Sequence, residues 1–462
     1  MNAVSSPSAP PSTVASATTR PTTARRVLRF VGRPFRFAAR RPGRALLLAT
    51  TLLTVVASTI AIAVVVWFHH HLRTARVEAD RWHNAVAVHH LKLCRLVRPD
   101  HPEVLLLAAR VARRTGAPDE AEGQLDRYAT LFGDDEALVL ERLLHRAANG
   151  ELEAAGPILV ARIERGGQEA RLAREALVMG LSYRYRWREA AAILDRWLGE
   201  TPDDTIGLLL LGRLLEEQRG IDVAVKTYRR ILELDPENLD ARLRLAMLFD
   251  ANRQGAEAAE QLAVLRDRLP SHPEIHVLWV RSLALLGRTD EARAALNACL
   301  RAHPDYPPAL AERGEFALLD GDERAAEADL AKAVARDPGN VTTRNQYALA
   351  LARNGNRDES QREYAEVKQL QADSDRMAVL IRGPLQTTPN DPAIHHEIAL
   401  IALRAGQTRE CLRWFESALV ANPNHLPTHR ALAVLYHELD NPILAARHRA
   451  LAQKLAGTAP QP

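Results

Sequence analysis

One long stretch near the start of the chain is uncharged and apolar, and a weaker periodic pattern follows it. Residues 45–68, ALLLATTLLTVVASTIAIAVVVWF, contain no charged side chain over 24 positions. A helix rises 1.5 Å per residue, so a helix of this length crosses a hydrocarbon core of about 30 Å. The pattern therefore predicts one transmembrane helix at 45–68, with Trp67 placed at the membrane surface.

Prolines and small residues recur every 34 positions in the middle of the chain. If each proline is position 32 of a 34-residue unit, alanine falls at position 20 and Gly212 at position 8. Small residues at these two positions would let paired helices approach closely, and the proline would end the second helix. The residues that define the period are Pro202, Pro236, Pro270, Pro304 and Pro338, with Ala224, Ala258, Ala292 and Ala326.

This pattern resembles the tetratricopeptide-repeat (TPR) family, whose unit of about 34 residues is a helix–turn–helix. Residues 205–238 match best, with Leu211 and Gly212 in the first helix, Ala224 and Tyr228 in the second, and the ending LELDPEN. The resemblance implies an all-α, right-handed solenoid of about ten units, preceded by the transmembrane helix.

The pattern divides the chain into six predicted parts. A break in the 34-residue phase at 375–391 indicates an extra half-unit or a kinked helix. The parts are a Ser/Thr/Pro- and Arg-rich cytoplasmic tail at 1–44, the transmembrane helix at 45–68, a TPR array at 69–374, an irregular insertion at 375–391, C-terminal TPR units and a cap at 392–456, and a tail at 457–462.

Charge is concentrated in the N-terminal tail. Residues 1–44 hold nine arginines and no acidic residue, so the remainder has 61 − 9 = 52 basic and 57 acidic side chains. A basic nucleic-acid-binding body is therefore excluded. The positive-inside rule predicts a cytoplasmic N-terminus and an extracytoplasmic array, which in a bacterium is periplasmic. A cleavable secretory signal is the alternative, although its apolar region would be shorter, roughly 7–15 residues.

Candidate chemistry is sparse. Cys94, Cys299 and Cys411 lack any C-x-x-C spacing and fall at positions where the family has alanine, which predicts small buried residues. No phosphate-binding glycine loop or nucleophile elbow is present in the sequence. The sequence thus predicts no enzyme activity, no cofactor and no metal. A metal site at the histidines of 69–71, His83, His89 and His90 is the alternative.

A TPR solenoid binds proteins through an extended concave surface lined by its first helices. The resemblance therefore implies a membrane-anchored scaffold that binds an unidentified protein or peptide, in envelope assembly, secretion or protein maturation. A transmembrane sensory or regulatory module is the alternative. The predicted concave residues are Arg213, Arg244, Arg281, Glu312, Glu315, Asn345 and Gln346.

Overall fold

The computed structural model describes residues 42–458, and all regular secondary structure in that range is helical. The all-α fold class is thereby confirmed. The predicted tails lie outside the described residues, apart from 42–44 and 457–458. The helices are α1 (Pro42–Asp80), α2 (Asn84–Val97), α3 (Pro102–Arg114), α4 (Pro118–Phe132), α5 (Glu136–Ala148), α6 (Leu152–Arg165), α7 (Gln168–Tyr183), α8 (Trp187–Glu200), α9 (Thr205–Glu217), α10 (Ile221–Leu234), α11 (Leu239–Ala251), α12 (Gly255–Arg268), α13 (Pro273–Leu285), α14 (Thr289–Ala302), α15 (Pro307–Asp320), α16 (Glu323–Arg336), α17 (Val341–Arg353), α18 (Arg357–Arg382), α19 (Pro384–Thr387), α20 (Pro392–Arg404), α21 (Thr408–Ala421), α22 (Leu426–Glu438) and α23 (Pro442–Thr458).

The chain divides into two units between His70 and His71, within α1. In the first unit, α1 carries exposed apolar side chains such as Leu52 and Ile62. Among the described residues, the segment Thr50–Asp80 of α1 is long and apolar enough to cross a membrane. Its threonines bond to helix carbonyls, as Thr54 does to the oxygen of Thr51 at 2.8 Å, so their hydroxyl groups are satisfied without water.

The second unit is an array of paired antiparallel helices. Helices α3 and α4 form one pair, α9 and α10 another, and α22 and α23 the last. First helices of neighbouring pairs also contact each other directly, as α11 contacts α13 and α13 contacts α15. The first helices therefore form the continuous inner layer of the array.

Small residues allow the two helices of a pair to approach. Ala224, Ala258, Ala292 and Ala326 have no exposed surface. A Cβ atom at Gly212 would lie 2.6 Å from the Tyr228 ring, which is shorter than any normal carbon contact. The helix-packing distance thus requires a residue without a side chain at this position.

The turn between the helices of a pair requires a left-handed backbone at position 15. Glycine supplies it in Gly287, Gly321 and Gly355, with φ between +73° and +88°. Trp82 and Tyr185 occupy the same turn position with φ of +63° and +56°. A bulky residue in this region costs roughly 1–2 kcal/mol relative to glycine. Both of these aromatic side chains contact distant units, as described below.

In five units, the side chain at position 4 bonds to the proline that lies three residues before the unit. The residue at this position is arginine or histidine in these units, and its side chain reaches the proline carbonyl oxygen, whereas Leu208 and Leu310 occupy the position in two others. Arg242 bonds the oxygen of Pro236 at 2.8 Å, and His276 bonds that of Pro270 at 2.6 Å. Arg344 bonds Pro338, His395 bonds Pro389, and His429 bonds Pro423 in the same way. This hydrogen bond fixes the first helix of a unit to the turn that precedes it.

The segment 375–391 departs from the two-helix unit. Helix α18 runs without interruption through Arg382, and the four-residue α19 follows at Pro384–Thr387. Asp373 lies in the C-terminal half of the 26-residue α18 and accepts two hydrogen bonds from Arg404 of α20 at 2.6 and 2.7 Å. The long helix is therefore fixed to the first helix of the following pair.

Two return contacts join units that are distant in sequence. The first return contact is made by Trp82, His83 and Asn84, and it brings α2 against α11. Trp82 Nε1 donates to Glu175 at 3.0 Å, and Arg114 also binds that fully buried carboxylate. Burial alone would raise the pKa of Glu175, but Arg114 and Arg113 lower it to about 2.

The second return contact joins residues 183–187 to the C-terminal units. Tyr185 stacks on Trp414, and the guanidinium of Arg184 lies 5.0 Å from the centre of the Trp414 ring. Tyr183 bonds Glu410 through its hydroxyl, and Gln386 donates to the carbonyl oxygen of Tyr185 at 2.7 Å. Trp414 is only 2% exposed, so its ring belongs to the core that these units share.

Candidate partner-binding surface

A ladder of polar contacts runs along the first helices. Arg281 of α13 binds Glu312 of α15 at 2.5 Å and Asp250 of α11 at 3.4 Å. Gln346 of α17 donates to Glu315 of α15 at 2.7 Å. The structure therefore brings together two pairs of the seven residues predicted for the concave face.

The ladder follows from the repeat geometry. Glu312 is 31 residues beyond Arg281, and Gln346 is 31 residues beyond Glu315. This spacing connects position 9 of one first helix with position 6 of the next. Asp250, the other acidic partner of Arg281, was not among the predicted residues, although opposite charges at this spacing could have identified it.

Arg213 and Arg244 lie near the first return contact. Asn84 donates to Asp240 through its backbone and side-chain nitrogens, at 3.3 and 3.4 Å. Burial lowers the pKa of Arg213, and the neighbouring charge of Arg244 lowers it further, while Asp240 opposes this change. Arg244 itself is 3.6 Å from Glu216. This part of the inner layer is therefore occupied by the chain's own residues.

A cavity of about 400 Å³ lies further along the inner layer, and we name it the Arg281 cavity. Its volume is within the range of ligand pockets, about 300–1,000 Å³. Apolar side chains of three successive first helices contribute to its walls, together with polar residues of these helices and of the neighbouring turns. The wall includes Met247, Val277, Leu278 and Ala311, with Asp250, Glu274, Arg281, Tyr306, Asp337 and Asn340.

Acidic side chains outnumber basic ones in the wall of the Arg281 cavity. Arg281 is already engaged by Asp250 and Glu312. Burial raises the pKa of both these carboxyl groups, although Arg281 acts in the opposite direction. Burial also raises the pKa of Tyr306, and the charge of Glu274 adds to this effect. The cavity thus disfavours further negative charge.

The remaining predicted residues lie on the exposed side of the surface. Glu315 and Asn345 are exposed, and Glu315 accepts the hydrogen bond from Gln346. Among residues 42–458, no group of three or more His, Cys, Asp or Glu side chains is arranged to hold a metal ion. The three cysteines are buried and form no disulfide with one another.

Family models described as tetratricopeptide repeats match residues 209–273 and 273–316 of the chain. A TPR repeat-containing protein of Pseudomonas aeruginosa is 28% identical over 219 residues, which are 46% of this chain and 34% of that protein. The DnaJ protein P58IPK homolog A of Oryza sativa subsp. japonica is 26% identical over 280 residues, which cover 54% of this chain and 58% of that protein. The chain thus spans a third to three-fifths of the length of these relatives.

Solved structures with similar helix arrangements share little sequence with the chain. Human IFIT1, solved as a dimer with a capped RNA, is 16% identical with a TM-score of 0.41, over 76% of this chain and 90% of that one. The type IV pilus biogenesis factor PilW is 20% identical with a TM-score of 0.38, over 45% of this chain and 94% of that one.

Proposed function

We propose that the chain is a tetratricopeptide-repeat protein and acts as a membrane-anchored scaffold, which binds a protein partner in the inner layer of its repeat array. The supporting observation is the Arg281 cavity, where three first helices leave a space of about 400 Å³ beside paired charges. Extended peptides and partner helices bind in grooves of this kind through apolar contacts and a few placed polar groups.

We further propose that α1 anchors the array and that its N-terminal tail is cytoplasmic. The support is the exposed apolar surface of α1 and the nine arginines within residues 1–44. In a bacterium the array would then act in the periplasm, in envelope assembly, secretion or the maturation of exported proteins. A non-catalytic role is consistent with repeats that occupy the chain beyond α1.

In-membrane crosslinking of the tagged full-length protein, followed by mass spectrometry, tests the binding surface. The informative variant is Arg281→Glu, which reverses the charge in the middle of the ladder. The matched control is Arg301→Glu, an exposed arginine on the second helix α14. We expect capture of a partner by the wild type and the control, and at least a tenfold reduction for Arg281→Glu.

Equal capture by the two variants would show that the partner binds elsewhere. Thermal unfolding midpoints of both variants must be measured alongside, because Arg281 also joins α11, α13 and α15. An Arg281→Glu protein that unfolds like the control but loses its partner supports the proposal.

A further inference from the structure

The Arg281 cavity has more carboxylates than cations on its wall. Asp250, Glu274 and Asp337 line it, whereas Arg281 is its lining cation. Arg281 is held by Asp250 and by Glu312 beside the cavity. Among the described residues, neither Glu274 nor Asp337 forms an ion pair. An occupant that carries a positive charge would complement them.

The cavity also has a shape and a lining that suit a long cationic side chain. Val277, Leu278 and Ala311 provide an apolar floor on two successive first helices. Lysine and arginine bury their methylene stems against such surfaces while the charged head stays near polar groups. Tyr306 adds a half-buried aromatic ring, and cations bind favourably over such rings.

We propose that the Arg281 cavity receives a lysine or arginine side chain from an extended segment of the partner protein, with Glu274 and Asp337 binding the charged head. This inference rests on the proposed function and specifies the chemistry of the partner. An acidic peptide is disfavoured, because it would place a further negative charge beside four carboxylates and one guanidinium. The partner segment would present the cationic residue between small or apolar neighbours.

A peptide titration tests this chemistry with the full-length protein in nanodiscs of phosphatidylcholine, whose surface has no net charge. The probe is a fluorescein-labelled 12-residue peptide of alternating lysine and alanine, and binding is followed by fluorescence anisotropy. The test variant is Glu274→Gln/Asp337→Asn, which keeps side-chain shape and removes two negative charges. The control is Asp267→Asn/Asp290→Asn, with the same charge change on exposed positions of α12 and α14.

We expect the wild type and the control to bind the peptide equally, and the test variant to bind about tenfold more weakly, as the loss of two partly exposed ion pairs implies. Equal weakening in both double variants, or no binding by the wild type, overturns the inference. Matching thermal midpoints exclude unfolding of the variant. Partner loss in Arg281→Glu together with a failed titration would leave the scaffold proposal standing and reject only the cationic occupant.

Discussion

Tyr185 stacks on Trp414, with ring centroids 6.1 Å apart and the ring planes 13° from parallel. Tyr185 lies in the turn of one helix pair, with a left-handed backbone at φ +56°, and Trp414 lies in α21 near the C-terminal end of the array. A turn position that holds glycine in several other pairs therefore carries a ring that joins two distant parts of the array. We expect the ring contact to offset the strain of that backbone.

Two substitutions at Tyr185 should distinguish the cost of its left-handed backbone from the stability that its ring contact with Trp414 provides. Tyr185→Ala removes the ring and retains the left-handed strain, so we expect α20 and α21 to lose about 2–3 kcal/mol of local stability. Tyr185→Gly should cost about 1 kcal/mol less, because glycine adopts this backbone freely. Amide hydrogen exchange in α20 and α21 is the measurement, since a long array need not unfold in one step. As a control, Arg253→Gly at an equivalent turn should leave their exchange unchanged.

Two helical glycines should respond oppositely to the same substitution. A Cβ at Gly314 would lie 2.5 Å from Leu330, so Gly314→Ala forces apart α15 and α16 and should destabilise the array by about 1–3 kcal/mol. Gly123, inside α4, has open space where a Cβ would lie, and Gly123→Ala should stabilise by about 0.5–1 kcal/mol. Urea unfolding of both variants checks the sign. A gain for Gly314→Ala would contradict the packing described here.

His145 should make stability depend on pH between about 6.5 and about 4. Burial, followed by the charge of Arg113, lowers its pKa to about 4. Its Nε2 accepts from Asn149 at 2.9 Å, which requires the neutral ring. The unfolded chain binds this proton first as pH falls, so the array should lose about 2–3 kcal/mol across this window.

The His145→Gln variant isolates that contribution. Burial also lowers the pKa of His395 and that of the half-buried His448, so the wild-type profile contains contributions from other histidines. We therefore expect the unfolding free energy of the wild type to fall more steeply from pH 7 to pH 4.5 than that of His145→Gln. Parallel pH profiles would show that His145 protonates without cost in the folded state.

The state of the N-terminal segment can be determined directly. We expect a tag placed before Met1 to remain on the mature protein, and the protein to stay with membranes after extraction with alkaline carbonate. The reason is that the uncharged apolar stretch at 45–68 is longer than the roughly 7–15 residues of a cleavable signal. A shortened, extractable product would favour the alternative of a cleaved signal.

Local features of the fold could be predicted from the sequence. The 34-residue period predicts helix pairs because small residues such as Gly212 and Ala224 indicate a close contact between the two helices of one unit. The seven predicted surface residues remain predictions of function, although Arg281 lines a cavity. Opposite charges 31 residues apart, as in Arg281 and Glu312, would have predicted the ladder as well.

The return contacts could not be predicted in this way. Whether Trp82 meets Glu175, or Tyr185 meets Trp414, depends on small rotations that accumulate over several units. The sequence pattern of a single unit does not determine this accumulated rotation. The one local signal was the presence of Trp82 and Tyr185 at a turn position that favours glycine. The first return contact also covers Arg213. The structure was therefore needed to decide which of the predicted surface residues remain accessible to a partner.

The return contacts also limit how such a gene can change in length. A simple repeat array tolerates duplication or loss of a unit, because each unit touches only its neighbours. Here, one additional unit between Tyr185 and Trp414 would displace one ring from the other and leave Arg184 without its aromatic partner. The number of units enclosed by each contact is therefore part of the fold, as loop length is in a compact domain.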